Sequence, residues 1–496
     1  MRWGLVLGLL LLAGSIGRAA AMSWVVQGVE YSYEPEARAV RVLLGEVDFI
    51  ALAGLGPQFQ MTDSVTSGAV TLREAKPRGQ ALVCEYESQS GEEIVSWRVT
   101  IEPNADCLRF SFEAPVPLRV TQLSAGVCEV AGPWQRYDLT RYAEAHGQVW
   151  WDKTAWLPEY SAWLDARWVL EESNCTGFDA PNKAPRGEGN FEPARRPTYS
   201  PRLDGLYSKV SEVLELRVSK HLWNAVPRLT NPPSEYRDEL GQQVFLDLWG
   251  GTADQMTWLL ERVKRCSLGL TPCLSVVEDW QAGGFDALLP DSLWLPEFPP
   301  NPALGTLEEY QRLCDAGKAL GRFAFRTNYM LCRDASPSVK RGVTWQSKGA
   351  DGSAQWYTSN LTWQALGERQ EAEIQSTWHP NAAFSDQLTS GAVPSGYHDY
   401  ATSPSGEPSI RATMDRQKAF CRLMKDTQGG PLGSETLIDE YLLGYWVDYG
   451  DFGIMGGHNR LTSPEYKLRR LHQLSSFHGM GLMYRFFGPP PWPEWA

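Results

Sequence analysis

The hydrophobic pattern of this 496-residue chain changes period once, near residue 231, and that change limits its possible folds more than any other feature. From Ser23 to about Val226 the chain reads as short segments broken by turn residues. Examples are 39–44, 81–86, 95–101, 108–112 and 213–218, several of them alternating apolar and polar as half-buried antiparallel strands do. No long amphipathic helix interrupts them. A run of strands this long without helices predicts a large β-sandwich. The stretch 174–200, rich in Gly, Pro, Arg and Asn, reads as a long loop on that domain, and Asn231-Pro232-Pro233-Ser234 as a linker, because paired prolines block helix.

After Tyr236 the rhythm becomes strand, loop, helix, repeated. Apolar strands are expected over 244–249 (VFLDLW), 270–277 (LTPCLSVV), 322–330 (RFAFRTNYM), 382–388, 431–435, 445–452 and 479–487 (GMGLMYRFF). Helical runs fall over 254–265, 307–321, 360–378, 409–427 and 463–477. Strands that alternate with helices predict βαβ units and a parallel sheet. The expected fold is therefore multidomain, β plus α/β. Residues 22–230 form a β-sandwich, 231–235 a linker, and 236–496 a (β/α)8-type TIM barrel catalytic domain. Seven strands can be placed and an eighth cannot. One strand misread, an irregular barrel, and a barrel incomplete at the C-terminus all remain open.

The first residues have their own pattern. Arg2, the apolar run 5–13 and Ala19-Ala20-Ala21 predict a signal peptide over 1–21, cleaved near Ala21, and so a secreted or periplasmic protein. That run is too short for a permanent membrane span, and no later stretch is long enough. The formal charge of −13, with no run of Lys or Arg, argues against a nucleic-acid partner. Nine cysteines with wide, irregular spacing predict mostly buried thiols and one or two bridges. Neither a CxxC pair nor a zinc-type Cys/His spacing occurs, so no metal and no cofactor is implied. Asn174 and Asn360 open N-x-T sequons. The one compositional excess, 21 Trp, hints at carbohydrate, since flat indole faces stack on sugar rings.

In a (β/α) barrel the chemistry sits at the C-terminal strand ends. The acidic residues expected there are Asp247, Glu278, Asp279, Asp334, Asp386, Glu435, Asp448 and Asp451. Asp386 lies in AFSDQ and Glu435 in GSE, each after small or apolar residues. A carboxylate closing an apolar strand is costly to bury unless solvated, paired or used. Two on adjacent strands suit retaining glycoside hydrolysis, in which one carboxyl attacks the anomeric carbon and the other protonates the leaving oxygen. Either could instead cap a helix or pair with an arginine. Trp280, Trp378, Tyr397, Trp446 and Tyr449 are candidate sugar-binding walls. His398 and Asp399 after strand four, and His458 in a Gly-rich loop, are candidate hydroxyl ligands.

The segment 384–400 (FSDQLTSGAVPSGYHDY), followed by a helix and then 430–440 (GPLGSETLIDE), resembles a widespread group of secreted bacterial glycosidase-related proteins. That group is similar to the clan of endo- and exo-α-N-acetylgalactosaminidases, glycoside hydrolase families 101 and 129. The resemblance covers 382–487, and the sandwich by arrangement alone. It implies a β-supersandwich joined to a catalytic barrel, with Asp386 as nucleophile, Glu435 as acid/base and Asp247 as a sugar-hydroxyl ligand. It also supplies the only pointer to α-linked N-acetylgalactosamine. The partner implied is an oligosaccharide or polysaccharide. Two rival readings stand beside it: a metal hydrolase using His379, Asp386, His398 and Asp399, and a non-catalytic exported carbohydrate-binding protein on a glycosidase-like scaffold.

Overall fold

A computed structural model describes residues 21–450, apart from 62–63, 67–68, 91–92, 115–119, 138–153, 180–183, 185, 201–202, 206–208, 226–230, 350, 390–398, 400–408, 436–441 and 443, together with 476–477. The first twenty residues of the signal peptide expected over 1–21, with Tyr397, His398, Asp451 and His458, lie outside these residues. The first described strand, Met22–Val26, pairs antiparallel with Val29–Glu34.

The N-terminal region is all antiparallel, in described sheets of five, nine and five strands. Its nine-stranded sheet is centred on Leu108–Ala114, which pairs with Glu93–Pro103 on one side and Val210–Ser219 on the other. Along Leu108–Ala114 every second residue is buried, so the period-two pattern of the sequence becomes one face on the core and one away from it. The stretch 174–200, expected as a long loop lying on this domain, is partly strand. It holds three short strands, Gly177–Asp179, Arg186–Glu188 and Arg196–Thr198, that pair at sheet edges. Three-residue pieces between Gly and Pro are too short to show a period.

The C-terminal region is a parallel sheet of seven described strands in chain order. They are β1 (Val244–Leu248), β2 (Cys273–Val277), β3 (Gly321–Thr327), β4 (Ala383–Ser385), β5 (Leu432–Ser434), β6 (Tyr449–Gly450) and β7 (Ser476–Phe477). Between them run α1 (Ala253–Cys266), α2 (Leu307–Lys318), α3 (Trp363–Trp378) and α4 (Ile410–Gln428). The helix starts are written in the sequence. Thr252 with Gln255 and Thr306 with Glu309 make reciprocal capping boxes, Ser409 caps α4, and Gly429 ends it at φ +64°. Ser476–Phe477 was expected to close a helix over 463–477, but it pairs with β6 as a strand. The strand expected over 479–487 lies outside the described residues. A short helix before β1, Arg237–Leu240, lies against β7, so the last described strand comes round beside the start of the first.

The two regions are tied together. The amides of Ile410 and Arg411, at the start of α4, donate to the carbonyls of Cys175 (2.9 Å) and Ser173 (3.1 Å), and Lys418 pairs with Glu171. The 231–235 linker is clamped: Ser234 donates to Asp448 (2.6 Å) and Trp446 to Asn231 (3.0 Å). All nine cysteines are free and only Cys266 is exposed, so the bridges expected from the sequence are absent. Both sequon asparagines are buried and so are poor acceptors for a glycan. No described helix is long and apolar enough to cross a membrane.

Candidate active site

The centre of the site is a residue the sequence reading passed over. Arg326, near the C-terminal end of β3, is 3% exposed and faces several carboxyl groups. Its Nη2 donates to Oδ2 of Asp386, its Nη1 to Asp286 (2.9 Å), and its Nε stands 2.9 Å from Glu278 Oε2, an ion pair. Asn328 donates a second hydrogen bond to Asp386 Oδ2 at 3.1 Å, while its own Oδ1 accepts from the amides of Met330 and Leu331. Asp386 itself is buried just past β4, its amide bonded to Thr327 O at 2.8 Å, so the β3 and β4 ladder sets its position. Its bonds from Arg326 and Asn328 both fall on Oδ2 and leave Oδ1 without either.

Glu435, one residue past β5, lies with its carboxyl in hydrogen-bonding contact with that of Asp386. The Gly-Ser before it has a packing reason. A Cβ on Gly433 would fall 2.1 Å from the Tyr449 ring, and Ser434 Oγ accepts from the amide of Thr389 at 3.1 Å. The β4 and β5 ends are thereby held side by side. Burial first, then the charge of Asp386 and the bond to it, push the Glu435 carboxyl well above the usual range. Glu278 is pushed up by burial as well, against the pull of Arg326. Asp247, at the end of β1, is raised to about 7 by burial, partly offset by a 2.6 Å hydrogen bond from Trp249 Nε1. Asp247 Oδ1 is buried and has no hydrogen-bond partner among the described residues. Burial disfavours charge on Arg326 too, but Asp386, Glu278 and Asp286 outweigh it and keep the guanidinium protonated.

The structure thus brings Asp247, Glu278, Asp386 and Glu435 together around Arg326. It separates several other candidates. Asp279 sits at φ +57° and turns toward Tyr310, whose hydroxyl feels its charge, so it leaves the cluster. Trp280 is fully buried: its indole donates to Arg326 O at 2.7 Å and packs edge-on against Trp378, itself buried. Neither can stack on a sugar. Tyr449 is also fully buried, its hydroxyl bonded to Ala383 O at 2.7 Å and its ring against Phe384. Trp446 and Asp448 precede β6 and therefore lie at the opposite, N-terminal end of the sheet. Asp399 is buried elsewhere, accepting from Lys348 N (2.9 Å) and Ser359 Oγ. Asp334 is exposed, and His379 is exposed at the C-cap of α3, away from Asp386. The His379, Asp386, His398, Asp399 grouping is therefore not assembled by its described members. Among the described residues no three His, Cys, Asp or Glu side chains are placed to hold a metal ion.

The aromatic rings beside the cluster are ones the sequence did not single out. Trp249 packs against Phe285 at 4.8 Å, and Phe285, 39% exposed, covers the Arg326 guanidinium at 4.3 Å. Trp249 had a legible signal, since it lies two residues from Asp247 and so on the same strand face. Asp286 had none. It reaches Arg326 from a loop residue at φ +55°.

This geometry can be set beside known structures. The ligand-free α-N-acetylgalactosaminidase NagBb from Bifidobacterium bifidum matches with a TM-score of 0.64 at 13% identity, over 90% of this chain and 84% of that one. The N-acetylgalactosamine complex of the same enzyme matches with a TM-score of 0.61 at 13% identity, over 90% and 83%. The chain has the fold of these glycosidase structures. No family model matches the sequence, and no curated protein matches it.

Chemically, the cluster pairs unlike carboxyls. Asp386 accepts from a cation and an amide, while burial and the charge of Asp386 raise Glu435 beside it well above the usual range. Two neighbouring carboxyl groups in unlike environments are an arrangement that acid–base and nucleophilic chemistry can use.

Proposed function

We propose that this chain is a retaining glycoside hydrolase whose parallel sheet closes as a (β/α)8-type barrel, with Asp386 as nucleophile and Glu435 as acid/base. The observation that carries this reading is the contact between Glu435, raised well above its usual range, and Asp386, fixed by Arg326 and Asn328. Glu435 gives its proton to the glycosidic oxygen as Asp386 Oδ1 attacks the anomeric carbon. Glu435, now ionised, then takes a proton from the water that releases the sugar from Asp386. An inverting pair would stand about 6.5–9.5 Å apart to admit a water, whereas a retaining pair stands about 5–5.5 Å apart. Carboxyls in contact favour the second, and Glu435 swings aside to admit the glycosidic oxygen.

Asp247 Oδ1, buried without a partner, is the group for a sugar hydroxyl, and Trp249 and Phe285 form the wall beside it. The fold shared with an α-N-acetylgalactosaminidase, together with the FSDQ and GSE segments, supports α-linked N-acetylgalactosamine or a related glycan as substrate, and the clan of families 101 and 129 as its kin. The signal-like residues 1–21 support export. The test is a panel of α- and β-aryl glycosides, with the anomer of the first-formed product read by NMR. Retention is expected. Glu435→Gln should lower kcat by roughly 10²–10⁴-fold, and Asp386→Asn should abolish turnover with sugar binding preserved. Inversion, or unchanged turnover in both variants, would sink the assignment.

One observation favours a second reading. The ion pair between Arg326 and Asp386 would damp a nucleophile, and suits a cluster that binds a sugar without cleaving it. Sugar binding with no turnover across the whole panel would establish that reading.

A further inference from the structure

We infer that the cavity at the N-terminal end of the parallel sheet is a second saccharide-binding site, distinct from the carboxyl cluster. The cavity has a volume of about 310 Å³ and is lined by Glu235, Tyr236, Arg422, Asp426, Tyr445 and Trp446, with Gly429 on its floor. These come from the linker, from the last turns of α4 and from the turn before β6. The strands that carry Asp386 and Glu435 run away from it, so it opens at the other end of the sheet.

Its chemistry is that of a sugar site. Tyr445 and Trp446 meet at right angles, 4.9 Å between ring centres, and Tyr445 is 42% exposed. The Trp446 indole N–H is spent on Asn231, and the Tyr445 backbone amide donates to Pro232 O at 3.0 Å, so the corner they make is tied to the linker. Around it stand exposed planar polar groups: the Arg422 guanidinium and the Asp426 and Glu235 carboxylates. Such groups can each bond two neighbouring hydroxyls. Lys425 is committed to Asp448 (2.9 Å) and to Tyr445 O (2.8 Å). The remaining rim charges are two acids and one base. The carbonyl end of α4 adds partial negative charge. An anion is therefore disfavoured and a neutral, hydroxyl-rich ligand favoured. The volume is at the small end of about 300–1,000 Å³ for ligand pockets, which fits one or two sugar rings.

The test is electrophoresis of the full chain through gels holding one soluble polymer each: a mucin-type glycoprotein bearing N-acetylgalactosamine, a galactan, a dextran, and a sulfated polysaccharide. At least one neutral polymer should retard the wild type. Trp446→Ala, and separately Arg422→Met with Asp426→Asn, should weaken that retardation at least about fivefold while leaving hydrolysis of a small aryl glycoside unchanged. The second variant changes only exposed side chains, so it reads binding even if Trp446→Ala loosens the fold. Asp386→Asn should still be retarded, and a chain that hydrolyses nothing should be retarded equally, which keeps this site separate from the catalytic reading. The inference is overturned if no neutral polymer retards the wild type, if only the sulfated one does, or if Asp386→Asn abolishes retardation that the cavity variants leave intact.

Discussion

At the N-terminal end of the parallel strands, Asp448 is fully buried and each of its oxygens is occupied. Oδ1 accepts from Ser234 and Lys425, and Oδ2 from the amide of Leu432 at 2.8 Å. At the C-terminal end, Arg326 is the one cation among the described residues that faces Asp247, Glu278, Asp286, Asp386 and Glu435, and Asp247 Oδ1 has no partner among them. The first arrangement is complete in itself and locks the linker to the sheet. In the second, protons stand in for missing cations. A carboxyl buried beside a second carboxyl is expensive for a structure to keep, so its persistence needs a use.

Removing the cation at each end tests this difference. Arg326→Met leaves buried acids without their counter-ion and should cost about 3–5 kcal/mol of stability. Lys425→Met leaves Asp448 with Ser234 and the Leu432 amide and should cost less, about 1–3 kcal/mol. Urea denaturation of both variants reads the gap directly. Equal losses would mean that the carboxyl cluster is an ordinary ion-pair network.

Next in size is the pH dependence of stability. Asp247 and Asp448 have folded values of about 7 and about 6, both above the 3.8 of a free aspartate, and Glu212, buried in the β region, is raised to about 8 by burial. The folded chain then holds more protons than the unfolded one, so stability falls as pH rises through this range. The loss from Asp448 is complete near pH 6, from Asp247 near pH 7 and from Glu212 near pH 8. Thermal unfolding should give a higher Tm at pH 5 than at pH 8. Asp247→Asn should flatten the curve between pH 4 and 7. A Tm that rises from pH 5 to 8 would contradict the burial of these groups.

Much of this was legible in the sequence, for identifiable reasons. Strands such as 244–248 and 321–327 are apolar runs bounded by Gly, and helices such as 253–266 and 307–318 carry their capping boxes, so local chemistry and final structure agree there. Asp386 and Glu435 stood out because a carboxylate after AFS or GS is conspicuous. Arg326 sat equally plainly at the end of RFAFR, but its meaning depends on acids far apart in sequence. Asp286 reaches the site only through a left-handed backbone turn that no periodicity announces. The aromatic choices missed for a related reason: Trp280 and Tyr449 are near strand ends in sequence, yet strand pleat and helix packing turn both rings inward.

The smallest predicted effect sharpens the comparison at a single group. Asp286 raises Glu435 less than burial or Asp386 does, yet it is a direct partner of Arg326. Asp286→Asn removes one negative charge near Glu435, so the Glu435 carboxyl should lose its proton at a lower pH. If Glu435 is the acid, kcat/KM falls at high pH as Glu435 ionises, and that basic limb should move to lower pH in the variant. The same substitution leaves the protonation of Asp448 at the far end untouched, so the low-pH part of the stability curve, below pH 6, should keep its slope there. A basic limb that moves up, or does not move while folding is intact, would mean that Glu435 is not the group whose proton the reaction uses.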